Sequence, residues 1–272
     1  MEASIEHTYA RLLLTGAAGG LGRVLRERLK PFCRVLRVSD LTDVGPARAG
    51  EEVVACDLAD KGAVHALLDG VDAVAHFGAI SVEDHWEPIL RSNVIGVYNV
   101  YEALRKHGVK RAVFASSNHV TGFYRQGEVV DVDAPMRPDG LYGLSKCFGE
   151  NLSRLYFDRY GIETVCLRIG SAVTTIKDRR MLATYLSHDD LVELVRCALF
   201  APQVGHTVIY GASNNPIRWW DNAKASHVGF RPKDSSEAQR ARVEAASPPA
   251  DPTDVAAIFQ GGAFVRAGPF DE

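Results

Sequence analysis

The sequence predicts an α/β fold: a doubly wound parallel sheet covered by helices on both faces, with a small C-terminal subdomain capping it. Three observations predict it. Short apolar runs alternate with stretches of helical spacing along the first 200 or so positions. The first of these runs ends in a glycine-rich turn that opens a helix. After Gly170 the alternation loosens. The chain has 272 residues, a length that suits one α/β domain with a sizeable core. It is therefore expected to be a single domain over 1–272, with roughly 171–272 supplying the smaller, substrate-binding part.

Arg11 to Thr15 (RLLLT) reads as a buried strand. Gly20 to Lys30 follows with helical spacing at Leu21, Val24, Leu25 and Leu29, closed by Pro31. Cys33 to Val38 is a second strand ending at Ser39-Asp40, Val53 to Cys56 a third, and Val71 to Phe77 a fourth. A long helix is expected over Trp86 to His107, stopped by Gly108. Arg111 to Ala115 is a fifth strand running into Ser116-Ser117. Leu141 to Tyr160 is a second long helix stopped by Gly161, and Ile162 to Ile169 a sixth strand. Ser187 to Phe200 reads as a helix with Ser187 as N-cap and Asp189 and Asp190 in its first turn. Thr207 to Tyr210 is a short strand, and the polar stretch from Arg231 to Thr253 carries the weakest signal.

Composition excludes several classes. Thirty-one Lys and Arg against 34 Asp and Glu give a net charge of -3, with no basic excess to neutralise nucleic-acid phosphates. No apolar run approaches the roughly 20 residues that span a bilayer, and the first ten residues lack the apolar segment of a signal peptide. Five cysteines (33, 56, 147, 166 and 197) form an odd set without C-x-x-C spacing, which argues for reduced thiols and a cytoplasmic home. Nine histidines are scattered without ligand spacing, so no metal is expected.

The turn Thr15-Gly16-Ala17-Ala18-Gly19-Gly20-Leu21-Gly22 carries G-x-x-G-x-x-G between a strand and a helix. Glycine at 16 permits a tight turn, at 19 lets backbone approach a pyrophosphate, and at 22 lets the helix pack against the sheet. The helix N-terminus then offers N–H groups and a positive dipole end to an anion. Asp40 lies 18 residues past Gly22 at the end of the second strand. A carboxylate there accepts hydrogen bonds from ribose hydroxyls and repels a 2′-phosphate, which favours NAD over NADP; Arg37, three residues earlier, is the one cation that bears on this choice. Asp57-Leu58, after the third strand, and Gly78-Ala79, after the fourth, complete the expected cofactor cleft.

Tyr142 and Lys146 stand four apart at the start of a helix, on one face. An ordinary phenol is a poor base at neutral pH. A nearby ammonium, together with an oxidised nicotinamide ring, lowers its pKa. Ser117, at the end of the fifth strand, can hold a substrate hydroxyl while Tyr142 takes its proton.

TGAAGGLG, Asp40, Asp57-Leu58, Ser117 and Tyr142-Gly-Leu-Ser-Lys146 resemble the extended short-chain dehydrogenase/reductase superfamily from Arg11 to about Phe200. The resemblance implies a Rossmann-type fold, an NAD cofactor and a Ser-Tyr-Lys catalytic set. A narrower resemblance is to the bacterial NAD-dependent uronate dehydrogenases. It rests on ASSNH (115–119), RPDGLYGLSKCFGENL (137–152), LRIGS (167–171), RMLATYLSHDD (180–190), WWDN (219–222) and FQGGAFV (259–265). That family oxidises C1 of a cyclic hexuronate, D-galacturonate or D-glucuronate, to an aldarolactone. The resemblance implies that Arg180 holds the substrate carboxylate, since a guanidinium matches one bidentately. Ser81, Ser117, Asn118, His119, Tyr142 and Ser171 are placed around the sugar, with Phe264 packing over it. Gly20, Leu21, Asn93 and Ile169 join the cofactor residues. A homo-oligomer formed through the two long helices is implied as well. The alternative within the superfamily is an NAD-dependent nucleotide-sugar epimerase or dehydratase.

Overall fold

The computed structural model describes residues 8–249, 251–268 and 270. Residues 1–7, most of the stretch read as lacking the apolar segment of a signal peptide, lie outside the described residues. In chain order the strands are β1 (Tyr9–Thr15), β2 (Cys33–Asp40), β3 (Glu51–Ala55), β4 (Ala73–His76), β5 (Arg111–Ser117), β6 (Val130–Asp131), β7 (Glu163–Ile169), β8 (Ser171–Ala172), β9 (Tyr185–Leu186), β10 (His206–Gly211) and β11 (Trp220–Asp221). Seven of them form one sheet in the order β10-β7-β5-β4-β1-β2-β3. Every pairing in that sheet is parallel. The order reverses between β1 and β4, and ligands of open α/β sheets bind outside the carboxyl ends of the strands at such a reversal.

The helices are α1 (Gly20–Arg28), α2 (Lys61–Leu67), α3 (Trp86–Ile89), α4 (Gly96–His107), α5 (Leu141–Tyr160), α6 (Met181–Thr184), α7 (His188–Phe200), α8 (Glu237–Ala246) and α9 (Val255–Ile258). On one face of the sheet, Leu25 and Leu29 at the end of α1 and Leu191, Leu194 and Ala198 of α7 join Leu12, Leu14, Val113 and Val165 in one core. On the other, Val64 of α2, Val100 and Leu104 of α4, and Leu152 and Tyr156 of α5 join Leu13, Val74, Phe114 and Cys166. Strand residues alternate between the two layers because successive side chains point to opposite faces. Each fully buried Leu contributes about 1.5–3 kcal/mol to holding these layers on the sheet.

Main-sheet strands fall where the apolar runs predict them, with ends shifted by no more than two residues. The helix expected over Trp86 to His107 is interrupted by a π-helical segment, Leu90–Ile95, between α3 and α4. Spacing alone does not reveal α2, whose N-terminus is capped by Asp60 accepting from Gly62 and Ala63 N–H. It reads as part of a connection because it is only seven residues long. The first helix ends at Arg28, and Pro31 sits in a 3₁₀ turn, Lys30–Phe32, rather than directly after it.

The chain after Gly170 serves two parts of the molecule. α7 and β10 complete the main sheet and its helical layer. The paired strands β8 and β9, the paired β6 and β11, α6, α8 and α9 build the cap. The cap has a small core of Ile176, Leu182, Tyr185 and Val243. α8 lies inside the polar stretch, where only Val243 of its residues is buried, so no apolar stripe announces it.

Candidate active site

One cleft of about 1040 Å³ runs from the β1 turn to the cap. Its nucleotide end is made mostly of backbone. Gly16 has φ +74°, and a Cβ there would lie 2.5 Å from the Phe77 carbonyl carbon, so β1 and β4 meet over a glycine. A Cβ at Gly22 would come within 1.9 Å of the Gly16 carbonyl oxygen, so α1 sits directly on the turn. No side chain caps the start of α1 and no acid stands in its first turn, which leaves a clean anion site there. Thr15 Oγ1 bonds His76 Nδ1 at 2.7 Å and accepts from Gly78 N–H at 3.1 Å, fixing the floor. Burial, then the charge of Lys146, pushes His76 down to about 3, so the ring is neutral.

Asp40 lines the same cleft. Its carboxylate accepts from Ala18 N–H at 2.9 Å and Thr42 N–H at 3.0 Å, which holds it at the turn. Arg37 points away from it, bonded to Glu52 at 2.7 Å and to the carbonyls of Leu67 and Asp69. Asp57, Leu58, Gly78 and Ala79 line the cleft too. Asp57 is already occupied by Ala59 N–H at 2.9 Å and Arg91 at 2.6 Å, and those bonds hold its carboxyl below the usual range.

At the other end, β5 delivers Ser117 and α5 delivers Tyr142 and Lys146. All three are buried and line the cleft. Burial pushes the Tyr142 phenol up to about 12, opposed by hydrogen bonding to Ser117 and assisted by the charge of Asp139. Burial pushes Lys146 down to about 8. Its ammonium donates to the Ala115 carbonyl at 2.9 Å and lies 5.5 Å from the Tyr142 ring centre. The start of α5 is capped from a distance: Glu83 accepts from Leu141 N–H at 2.6 Å and Tyr142 N–H at 2.9 Å. Beneath, Glu150 on α5 accepts from Ser116 at 2.6 Å and from Arg168 through two nitrogens at 2.9 and 3.0 Å. That buried pair ties α5, β5 and β7 together at the site; breaking it by removing one partner costs about 3–5 kcal/mol.

The cap closes the far end of the cleft. Arg180 donates from Nε to the Gln260 carbonyl at 2.6 Å. With its amide oriented to satisfy both neighbours, Asn118 accepts from Arg180 Nη2 and donates to the Ile169 carbonyl, both at 3.0 Å. Arg180 is half-buried in the cleft wall, and desolvation lowers its pKa. No carboxylate pairs with it among the described residues, whereas the buried Arg26 and Arg168 pair with Glu51 and Glu150. His119 stacks on Phe264 with ring centres 3.8 Å apart.

The sequence pattern of the NAD dependent epimerase/dehydratase family matches residues 12–189. A uronate dehydrogenase of Pseudomonas putida is 60% identical over 264 residues, covering 97% of this chain and 98% of its own length. The chain belongs to the uronate dehydrogenase family. Two solved structures agree. A mutant uronate dehydrogenase from Agrobacterium tumefaciens, complexed with NAD, is 51% identical with a TM-score of 0.95, covering 97% of this chain and all of its own. A glucuronic acid dehydrogenase from Chromohalobacter salexigens is 52% identical with a TM-score of 0.93, covering 95% of this chain and 97% of its own.

Within this uronate dehydrogenase framework, nearly all the residues singled out by sequence share one cleft. Gly16, Gly19, Gly20, Leu21, Gly22, Ile169, Ser81, Ser171 and Phe264 line it with those already described. Asn93 stands beside the cleft and holds its wall. Its buried amide accepts from Ile80 N–H at 2.9 Å and donates to the Ile80 carbonyl and Ser145 Oγ, both at 3.0 Å. It clamps the loop after β4 to α5, from within the π-helical segment that an unbroken helical spacing does not foresee. Asn118 lines the cleft but spends its amide on Arg180 and Ile169. Asp189 and Asp190 belong to a helix start, as expected, with Ser187 accepting from Asp190 N–H. Asp190 also accepts from Ser213, Lys233 and Asp234, holding the cap segment.

Sequence reasoning misses Glu83, Thr15, His76, Asp139 and Gln260. Glu83 lies 58 positions before the N–H group it caps, so no local pattern marks it. Gln260 is fully buried with every polar group engaged. Its amide bonds Trp220, Arg125 and Glu128, and its backbone bonds Tyr124 and Arg180. The FQGGAFV segment is a signal that could have drawn attention to it.

Proposed function

We propose that this protein oxidises C1 of a hexuronic acid, D-galacturonate or D-glucuronate, to the aldarolactone with NAD as hydride acceptor. The observation that carries the reading is the placement of Arg180. A guanidinium without a carboxylate partner among the described residues stands in the same cleft as Ser117, Tyr142 and Lys146. A charged group crowded by protein and left unpaired is costly, and a substrate carboxylate relieves that cost with two charge-assisted hydrogen bonds.

The nucleotide end fits NAD. The uncapped start of α1 suits the pyrophosphate, Asp40 suits the ribose hydroxyls, and the turned-away Arg37 offers a 2′-phosphate nothing. When bound, the oxidised nicotinamide ring accepts the hydride from C1 and adds a positive charge near Tyr142. Tyr142 takes the proton of the C1 hydroxyl as that hydride leaves, closing the new C1=O of the lactone. Ser117 donates to and positions the same oxygen, while its Oγ accepts from His119 N–H at 3.2 Å. Lys146 holds a cation 5.5 Å from the phenol ring centre, and a nearby positive charge favours the phenolate. Arg180 holds the C6 carboxylate and so decides which carbon faces the nicotinamide. Phe264 and His119 cover the ring of the sugar and exclude water.

Exposed apolar residues on α4 and α5, among them Tyr98, Leu144, Phe148 and Leu155, support a homo-oligomer that pairs these helices. Five free thiols support a reducing, cytoplasmic setting. No described helix is long and apolar enough to cross a membrane.

The test is NADH formation with purified protein, NAD and either uronate, against D-galactose and D-glucose. NADH is expected with the uronates only. Its absence with both uronates refutes the reading and moves the epimerase alternative forward, to be examined through NAD that copurifies with the protein.

A further inference from the structure

Asp139 stands on the loop before α5 with its carboxylate fully buried. One oxygen, Oδ2, lies 2.6 Å from His119 Nδ1. The other, Oδ1, is buried without a hydrogen-bond partner among the described residues. Three glycines from three segments clear the space around it. A Cβ at Gly122 or Gly261 would fall 1.9 Å from Oδ2, and one at Gly143 would fall 3.1 Å from Oδ1. The backbone is joined as well, since the Asp139 N–H donates to the His119 carbonyl at 3.4 Å. His119 is held on three sides: by Asp139, by the Phe264 ring 3.8 Å away, and by the Tyr142 ring 5.8 Å away. Its Nε2 has no protein partner among the described residues, and the residue lines the cleft.

A buried carboxylate is acceptor-only and needs a donor, and the imidazole is the side-chain donor within reach. That requirement places a proton on Nδ1. In a neutral imidazole the other nitrogen then carries a lone pair, so it accepts a hydrogen bond instead of donating one.

We propose that Asp139 is a positioning residue: by holding the proton on His119 Nδ1, it makes Nε2 an acceptor for a hydroxyl of the sugar ring. The proposal rests on the hexuronate reading for the identity of that hydroxyl. It separates two jobs at the substrate end. Arg180 donates to the carboxylate, and His119 accepts from a neutral hydroxyl, so a sugar turned end for end meets a mismatched partner at both places.

Two experiments test it. In histidine-labelled protein at about pH 8, above the ordinary histidine range, NMR of the imidazole nitrogens and Cδ2 reports the tautomer of His119, assigned by its loss in His119→Ala. The Nδ1–H tautomer is expected in the native protein, and the Nε2–H tautomer overturns the proposal. This readout needs no substrate and no Asp139 variant, so it stands if the hexuronate reading fails or the variant does not fold. Secondly, kcat and KM for the uronate are measured in Asp139→Asn, His119→Ala and the double variant. Asp139→Asn is expected to lower kcat/KM by about 10–100-fold, the scale seen for the hydrogen-bond partners of metal-bound histidines, mostly through KM and with NAD affinity unchanged. In the His119→Ala background the same change is expected to cost less than about threefold, because its route is gone. Equal losses in both backgrounds, or no loss in either, overturn it.

Discussion

The two ends of the cleft are made of different material. The nucleotide end, from Thr15 to Ala79, is shaped by backbone: a left-handed glycine, a helix resting on a carbonyl, and an uncapped helix start. The substrate end is shaped by side chains that arrive from six separate segments, carrying Ser81, Ser117 to His119, Tyr142, Ser171, Arg180 and Phe264. Backbone shape needs small residues at fixed local spacing. Side-chain recognition needs long residues whose positions are set by supports elsewhere in the chain. The first kind of site tolerates little added volume, and the second tolerates little loss of a partner.

Four substitutions break or sharpen that contrast. The largest effect is expected of Tyr142→Phe, which removes the proposed proton acceptor and leaves the nucleotide end intact. Turnover should fall by about 10²–10⁴-fold with NAD affinity retained; turnover near that of the native protein would take Tyr142 out of the chemistry. Lys146→Met comes next and is read as a pH profile. Burial pushes the phenol up to about 12 and Lys146 down to about 8; a cation 5.5 Å from the Tyr142 ring centre favours the phenolate until it loses its own proton. The native rise of kcat/KM with pH should therefore flatten near pH 8. In the variant the rise should start from lower activity and move to higher pH, and an unmoved profile would deny Lys146 its electrostatic role.

Gly22→Ala tests the backbone end. Its Cβ meets the Gly16 carbonyl at 1.9 Å, so α1 must shift. Stability should fall by about 1–3 kcal/mol and NAD should bind more weakly, by urea unfolding and by titration of NAD fluorescence quenching. Undiminished NAD affinity would show that the close seat of α1 is not what shapes this end. The smallest effect is expected of Glu83→Ala, which strips the cap from α5. Unfolding should cost about 1 kcal/mol less, with NAD affinity unchanged. A loss of NAD binding would show that the two ends are not separable.

The same contrast explains what could be read in the sequence. G-x-x-G-x-x-G, Asp40 and the strand-end glycines are local, and backbone sterics tie each to one conformation, so the nucleotide end was legible without any relative. Helical spacing puts Tyr142 and Lys146 on one face, and both line the cleft. Arg180 was not legible, since Lys177, Asp178 and Arg179 make its neighbourhood a charged loop. Only the resemblance singled it out, and its meaning depends on Gln260, 80 positions away. The bonds of Asn93 to Ile80 and Ser145 were not legible for the complementary reason: they are made from a π-helical segment, and no periodicity in the sequence carries that interruption. α2 and α8 escaped notice because one is short and the other nearly all polar on its surface.

Whether the substrate end reads a carboxylate through Arg180 is settled most directly by Arg180→Ala, with NAD affinity measured alongside kcat/KM for a uronate and for the corresponding neutral hexose. Loss of a two-bond, charge-assisted contact should cost the uronate roughly 100-fold or more. The neutral hexose and NAD should be little affected. An equal loss on both sugars would contradict the account.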